Sequence, residues 1–376
     1  MIKLLIAGYH GYGNCGDEAT LLAMTTNIRK IADDVEITAI SYRPEETKKE
    51  YDINSVQRFN AFELLKAIIK NDIVLSGGGT LIQNNTSTRS LIYYLAIIKA
   101  AKFFGKRVML YANGIGPVTG NFNRKLVKIV VNSVDLITLR EKFSYDDLKD
   151  IGVDKPDIYV TADAAFTIQG ISDKEAEAIL EKEGVPTEKE IVGVCIRNWN
   201  KSEYGENYVK ELAKVCDRQV REGREVLLIP MQYSKDVDIS KRLAEQMQEK
   251  CSILGREYAP AQVVGIIGKL SLMIGMRLHA LLFAAVKRVP MIGIIYDLKV
   301  EYYLDVLKMP KGADIRSEKL ESEKVSTQIE GIFYDRQKYV DLLDERVGIL
   351  IDKAEENDRL LAEQLEMIRR KKGDEK

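Results

Sequence analysis

Histidine, the usual proton carrier at neutral pH, is almost missing from this chain of 376 residues: only His10 and His279 occur. They lie far apart, and the four cysteines, Cys15, Cys195, Cys216 and Cys251, are dispersed with no CxxC pair. That leaves no zinc spacing, so no metal site is expected, and the thiols read as reduced ones in a cytoplasmic protein. An excess of one charge is missing too, with 56 Lys and Arg against 57 Asp and Glu. A nucleic-acid partner is therefore not expected, because binding to the phosphate backbone leaves a basic footprint. There is no long apolar run. The most apolar stretch, Leu270 to Tyr296, is broken by Arg277, His279, Lys287 and Arg288 and does not cross a bilayer as one helix. Residues 1 to 8, MIKLLIAG, are too short for a signal peptide and run straight into a glycine loop. Neither a GxSxG elbow nor a Walker pattern occurs, so hydrolase and ATPase readings find no support. Solenoid-length repeats and low-complexity tracts are absent as well.

What is present is the balance of a soluble globular protein, 45% hydrophobic and 30% charged, at a length that suits two domains. Short β-rich runs alternate with helical patterns from the start, which predicts parallel sheets flanked by helices. Strands are expected at 3–7, 35–41, 72–76, 107–112, 136–138 and 158–160, then, beyond a turn-rich junction at Gly184 to Thr187, at 191–196, 225–230, 252–254, 272–274 and 291–295. The expected fold is α/β, two Rossmann-like doubly wound parallel-sheet domains facing a cleft. Residues 1–170 form the first, 171–310 the second, and 311–376 a charged helical tail that ends in Arg369, Arg370, Lys371 and Lys372. The tail reads as a solvated helix end, with contact to the membrane face as the competing reading. Oligomeric state is not legible.

In open α/β sheets, ligands bind beyond the carboxyl ends of the strands, so the residues there are the candidates for a site. After the first strand, Gly11, Gly13 and Gly16 match GxGxxG, but Asp17 and Glu18 occupy the helix turn that a dinucleotide pyrophosphate would need. A tight structural turn and a loop lining the cleft remain. Gly77, Gly78, Gly79 and Thr80 follow the third expected strand, with Asn84 and Asn85 close behind. Three successive glycines bring bare backbone against a neighbour, which suits a sugar or phosphate. Gly114 to Pro117, Arg140 and Asp163 complete that rim. In the second half the strand ends carry Arg197, Gln232 with Tyr233, Arg277 with His279, and Tyr296 with Lys299. Arginine forks and a lysine point charge fit a small di- or tri-anion. A lone histidine is commonly structural. Here Arg277 two residues before it and Lys299 twenty residues on favour a role for His279 in anion binding or proton transfer. His10 stays open between the two.

The segments GYHGYGNCGDEA (8–19), GGGTL (77–81), GIGP (114–117), LITLRE (136–141) and GMRLHA (275–280) together resemble the polysaccharide pyruvyl transferase family, over about residues 3–305. The resemblance is nearest to the family's bacterial cell-wall branch. It implies a fold like that of the GT-B glycosyltransferases, with phosphoenolpyruvate as co-substrate and no further cofactor. The implied acceptor is a β-linked N-acetylmannosamine on a lipid-linked secondary cell-wall polymer precursor. The implied product is a 4,6-ketal that helps to anchor surface-layer proteins. It places the donor against Arg277, Leu278 and His279, with Arg197, Gln232 and Lys299 as further contacts, and makes His279, Arg140 and Lys299 the catalytic set. The acceptor then lies against Gly13, Asn14, Asp17, Gly78, Gly79 and Asn84. Work at the inner face of the membrane is implied as well. Two other readings stay in view: a glycosyltransferase using a nucleotide sugar, and a non-catalytic carbohydrate-binding module.

Overall fold

The computed structural model describes residues 1–205 and 207–374. By contacts the chain falls into two units, one of Met1–Tyr12, Asp17–Thr167 and the chain from Leu350 on, the other of Gly13–Gly16 and Ile168–Ile349.

The first unit is built from β1 (Ile2–His10), α1 (Cys15–Ile31), β2 (Val35–Ser41), α2 (Pro44–Tyr51), β3 (Asn54–Gln57), α3 (Ala61–Lys70) and β4 (Ile73–Gly77). It continues through α4 (Thr88–Phe103), β5 (Arg107–Asn113), α5 (Asn121–Val131), β6 (Leu136–Leu139), α6 (Lys142–Ile151) and β7 (Asp157–Val160). All seven strands pair in the parallel sense in the order β3-β2-β1-β4-β5-β6-β7. The order reverses between β1 and β4, and that switch point is where such sheets hold ligands. β4 shows why these residues make a central strand: Ile73, Val74, Leu75 and Ser76 are buried on both faces, as a parallel strand covered by two helix layers must be. One face is filled by Leu91, Leu95 and Ile98 of α4, Val127 and Val131 of α5 and Leu148 of α6. The other is filled by Leu21, Met24 and Ile28 of α1.

The second unit holds α7 (Asp173–Lys182), β8 (Ile191–Cys195), α8 (Tyr208–Arg221), β9 (Glu225–Leu228), α9 (Tyr233–Gln246), β10 (Ser252–Ile253), α10 (Pro260–Gly268) and β11 (Leu272–Gly275). It closes with α11 (Leu278–Val286), β12 (Met291–Ile295), α12 (Leu298–Leu307), β13 (Lys311–Asp314) and α13 (Ser322–Tyr334). Its six parallel strands run β10-β9-β8-β11-β12-β13, with the reversal between β8 and β11. α7 begins with a capping box: Ser172 Oγ accepts from Glu175 N at 3.4 Å, and Glu175 Oε2 accepts from Ser172 N at 3.0 Å.

The two-sheet α/β class expected from the sequence is the class observed, with two strands added. β3, sequence NSVQ, is a half-exposed edge strand with no apolar run, and β13, KGAD, has almost no β-branched content. The tail also differs from its sequence picture. A single long helix, α14 (Arg336–Asp374), passes from the second unit's residues into the first's at Leu350. In the first unit its Leu360, Leu361, Leu365 and Ile368 join the α1 side of the core. Burial of each such side chain is worth about 1.5–3 kcal/mol. The basic end is tied down as well: Arg369 pairs with Asp34, and Lys372 Nζ lies 2.6 Å from Asp72 Oδ2.

Candidate functional site

At the switch point of the second unit, neighbouring strands deliver their cations in register. Cys195 of β8 stands opposite Gly275 of β11, so Arg197 and Arg277, each two residues further on, leave adjacent strands at the same level. Strands lie about 4.8 Å apart. Arg197 Nη1 donates to Tyr296 Oη at 3.0 Å, and its Cζ sits 4.8 Å from the centre of that ring. Its Nε is buried with no hydrogen-bond partner among the described residues. A buried cationic donor left without an acceptor is costly unless something anionic meets it.

Arg277 is held differently. Its Nε donates to Asp236 Oδ2 at 3.0 Å, and its Nη2 pairs with Asp236 Oδ1. Asp236, in the first turn of α9, is buried and also accepts from Gln232 N at 2.9 Å. This fork fixes the plane of the guanidinium, as bidentate pairs do. Asp236 is not legible in the sequence, because it meets Arg277 across 41 residues of chain and such a pairing is set by the tertiary fold. Gln232 itself is buried at the start of α9, and Leu278 is buried as the first residue of α11. His279 follows in that first turn, where the positive end of the helix acts on its imidazole. Lys299 lies in the first turn of α12, its N–H capped by Asp297 Oδ1 at 3.0 Å.

Residues Gly13–Gly16 group with this unit. Cys15 N donates to Met231 O at 2.9 Å, just past β9. A Cβ on Gly16 would stand 2.1 Å from His279 Nδ1, and one on Gly13 would stand 2.6 Å from Glu257 Oε1. The first of these glycine positions is therefore a close approach to the His279 ring. Gly13 and Asn14, expected on the acceptor side, group with the second unit.

The expected acceptor rim of the first unit is partly assembled. Gly78 and Gly79 both take positive φ, +72 and +66, and a Cβ on Gly79 would lie 2.8 Å from Asp17 Oδ1. The Asp17 carboxylate thus borders the triple glycine. Asn84 is committed elsewhere: its Nδ2 donates to Thr119 O at 3.0 Å and its Oδ1 accepts from Thr119 N at 2.8 Å. Arg140 is buried, with Nε 2.6 Å from Glu141 Oε1, Nη1 2.5 Å from Asp163 Oδ2 and Nη2 3.2 Å from Thr80 Oγ1. Two carboxylates absorb its charge and lock the loops after β4, β6 and β7 together.

His10 is enclosed in the first unit, and burial, aided by the Arg58 charge, pushes its pKa down to about 3. The ring is neutral at physiological pH and does not act as an acid there. Glu18 moves the opposite way, to about 7, chiefly by burial. The bond from Gly11 N at 2.7 Å opposes the rise, and the nearby Asp17 charge adds to it. Arg58 was not singled out from the sequence. It is buried just beyond β3, its Cζ 5.8 Å or less from the ring centres of Tyr9, Tyr12, Phe59, Tyr93 and Tyr94. Tyr9 stacks on Tyr12 and Tyr12 on Tyr42, with centroids 4.2 and 4.6 Å apart. Cation–π attraction offsets the cost of the buried charge. Tyr42 and Phe59 are exposed at this strand-end edge. Among the described residues no cluster of three or more His, Cys, Asp or Glu is placed to hold a metal ion.

Two Rossmann-like sheets with ligand-type residues at their switch points define a protein of the GT-B architecture, the class of many sugar-handling enzymes. The structure is similar to that of MnaA from S. aureus bound to UDP, with TM-score 0.65 and 12% identity over 96% of this chain and 95% of that one. It is also similar to a glycosyltransferase from Rickettsia africae, with TM-score 0.64 and 15% identity over 98% of each chain. A third is Anabaena HepE in complex with UDP and glucose, with TM-score 0.63 and 12% identity over 98% of this chain and 100% of that one. At such identities the likeness is one of fold. No protein of curated function matches the sequence. The model of the polysaccharide pyruvyl transferase family matches residues 14–297, and the chain belongs to that family. It is an enzyme that transfers pyruvate onto polysaccharide.

Proposed function

We propose that the pyruvate donor is phosphoenolpyruvate, and that the acceptor is a sugar of a lipid-linked cell-wall polymer precursor carrying a free pair of hydroxyls. The sequence resembles the cell-wall branch of the family, often called CsaB. On that resemblance the sugar is a β-linked N-acetylmannosamine, the product is its 4,6-ketal, and the ketal serves to anchor surface-layer proteins. The observation that carries the donor assignment is the in-register pair Arg197 and Arg277 at the β8/β11 switch point, with His279 opening the next helix.

The chemistry asks for cations facing a carboxylate and a phosphate, and for one mobile proton. Arg197, Arg277 and Lys299 supply fixed positive charge in a protein environment, where it is worth more than in water. Leu278 and Gln232 shape the wall behind them. His279 gives a proton to the methylene carbon of phosphoenolpyruvate, which becomes the methyl group, and the next carbon becomes electrophilic. One sugar hydroxyl adds there and loses its proton to His279. The second hydroxyl adds as phosphate leaves, and its proton departs with the phosphate. Arg140 acts as a positioning residue, holding Thr80 and the loops after β4 and β6. The acceptor is read onto Asp17, Gly78, Gly79 and the exposed ring of Tyr42, with Asn84 fastening the loop beside them. Gly13 and Asn14 border the donor.

No helix of the described chain is long and apolar enough to cross a membrane. A lipid-linked acceptor would be met in the cytoplasm at the inner membrane face. Acceptor-dependent release of phosphate from phosphoenolpyruvate tests the donor assignment. Sugar nucleotides in the same assay test the alternative suggested by the UDP complexes of similar fold.

A further inference from the structure

Helix α3 is apolar on two opposite faces. Ala67 and Ile68 turn into the first unit's core, with Leu64 against it. The outward arc carries Phe62, Leu65 and Ile69, spaced i, i+3, i+7 and 77%, 42% and 45% exposed. Phe59, just before the N-cap Asn60, is 67% exposed. A helix whose inner face already fills the core gains nothing in this fold from a second apolar stripe, and such stripes mark contact surfaces. Lys66 and Lys70, also exposed, flank the stripe on one side at i+4 and i+8 from Phe62. α4 packs beside α3 and turns outward Arg89, Ile92 and Lys99. Glu63 is the single exposed carboxylate of the two helices, and it is engaged by Asn60 Nδ2 at 2.8 Å.

We propose that this face seats on an anionic lipid surface. Phe59, Phe62, Leu65 and Ile69 would enter the headgroup–acyl boundary, with Lys66, Lys70, Arg89 and Lys99 among the lipid phosphates. Charge decides for a bilayer over a protein partner: four exposed cations stand against one carboxylate, on a chain whose net charge is −1. The basic tail, the other candidate, has Arg369 and Lys372 in ion pairs with Asp34 and Asp72. The proposal extends the reading of a lipid-linked acceptor, and its test uses no substrate, so the two can fail separately.

The test is co-sedimentation of the full chain with vesicles of phosphatidylcholine alone and of phosphatidylcholine mixed with phosphatidylglycerol. The anionic vesicles should bind roughly tenfold more tightly at low salt, with the difference shrinking as salt is raised. The triple variant Phe62→Ser, Leu65→Ser, Ile69→Ser and the double variant Lys66→Glu, Lys70→Glu should each lose that binding while keeping their unfolding temperature and circular dichroism spectrum. Absence of wild-type binding, or full binding by the triple variant, overturns the proposal. So does loss of binding in an Arg370→Glu, Lys371→Glu variant alone, which returns the contact to the tail. A concentration-dependent dimer in sedimentation velocity that the triple variant abolishes also overturns it, by giving the face to a second copy.

Discussion

At the scale of single residues, His279 and Gly16 form one device. A methyl group on Gly16 would lie 2.1 Å from His279 Nδ1, so the ring must swing away in a Gly16→Ala variant. His279→Ala should lower the rate of phosphate release by about 10²–10⁴ if the imidazole moves the proton. Gly16→Ala should approach that loss with an unchanged circular dichroism spectrum, and near-wild-type activity in either variant would remove His279 from its role. Glu18 supports a prediction of a different kind. Its folded pKa, about 7, stands above the ordinary carboxylate value because burial disfavours the charge. Its contribution to stability is therefore fully present below about pH 4.5 and is lost as pH rises through 7. Glu18→Gln keeps the side chain neutral, so the variant should gain on wild type by about 2–3 kcal/mol between pH 5 and pH 8 in urea unfolding. A stability difference independent of pH would show that Glu18 titrates normally.

At the scale of elements, α14 is expected to behave as part of the first unit's core. Asp358 accepts from Tyr111 Oη at 2.5 Å and Asn27 Nδ2 at 2.9 Å, and Asn357 accepts from Thr161 Oγ1 at 2.8 Å. With Leu361 and Leu365 fully buried beside them, Leu361→Ala should cost about 2–5 kcal/mol in chemical unfolding. A cost near zero would mean that the helix packs weakly. The sequence showed α14 as a charged amphipathic pattern, but not where its apolar side would rest, since docking is a tertiary choice that periodicity does not encode. The central strands were readable because Ile73 to Ser76 and Met291 to Ile295 are buried on both faces and so nearly all apolar. The edge strands β3 and β13 were not, because NSVQ and KGAD pack on few neighbours. Arg197, Arg277 and His279 stood out in the sequence because they follow strand ends in a βα alternation. Asp236 and the Arg58 cage were missed because their partners come from distant turns. The glycines at 13 and 16 were noticed, and their neighbours Glu257 and His279 lie far along the chain.

At the scale of the molecule, two sheets that share the order of their first six strands present different chemistry at their switch points: cations and an imidazole in the second unit, glycines and Asp17 in the first, where exposed aromatic rings follow the edge strands β2 and β3. The glycines, Asp17, the cations and the imidazole were visible in the sequence and the aromatic rings were not, and the proposed function reads the two sets as a donor side and an acceptor side. Transfer from phosphoenolpyruvate is the central claim. Phosphate release from phosphoenolpyruvate, followed with and without a synthetic lipid-linked N-acetylmannosaminyl disaccharide for wild type, Arg277→Ala and His279→Ala, tests it most directly. Release that requires the acceptor and is lost in both variants is the expected result. No release from phosphoenolpyruvate, with turnover of a sugar nucleotide instead, would contradict the account.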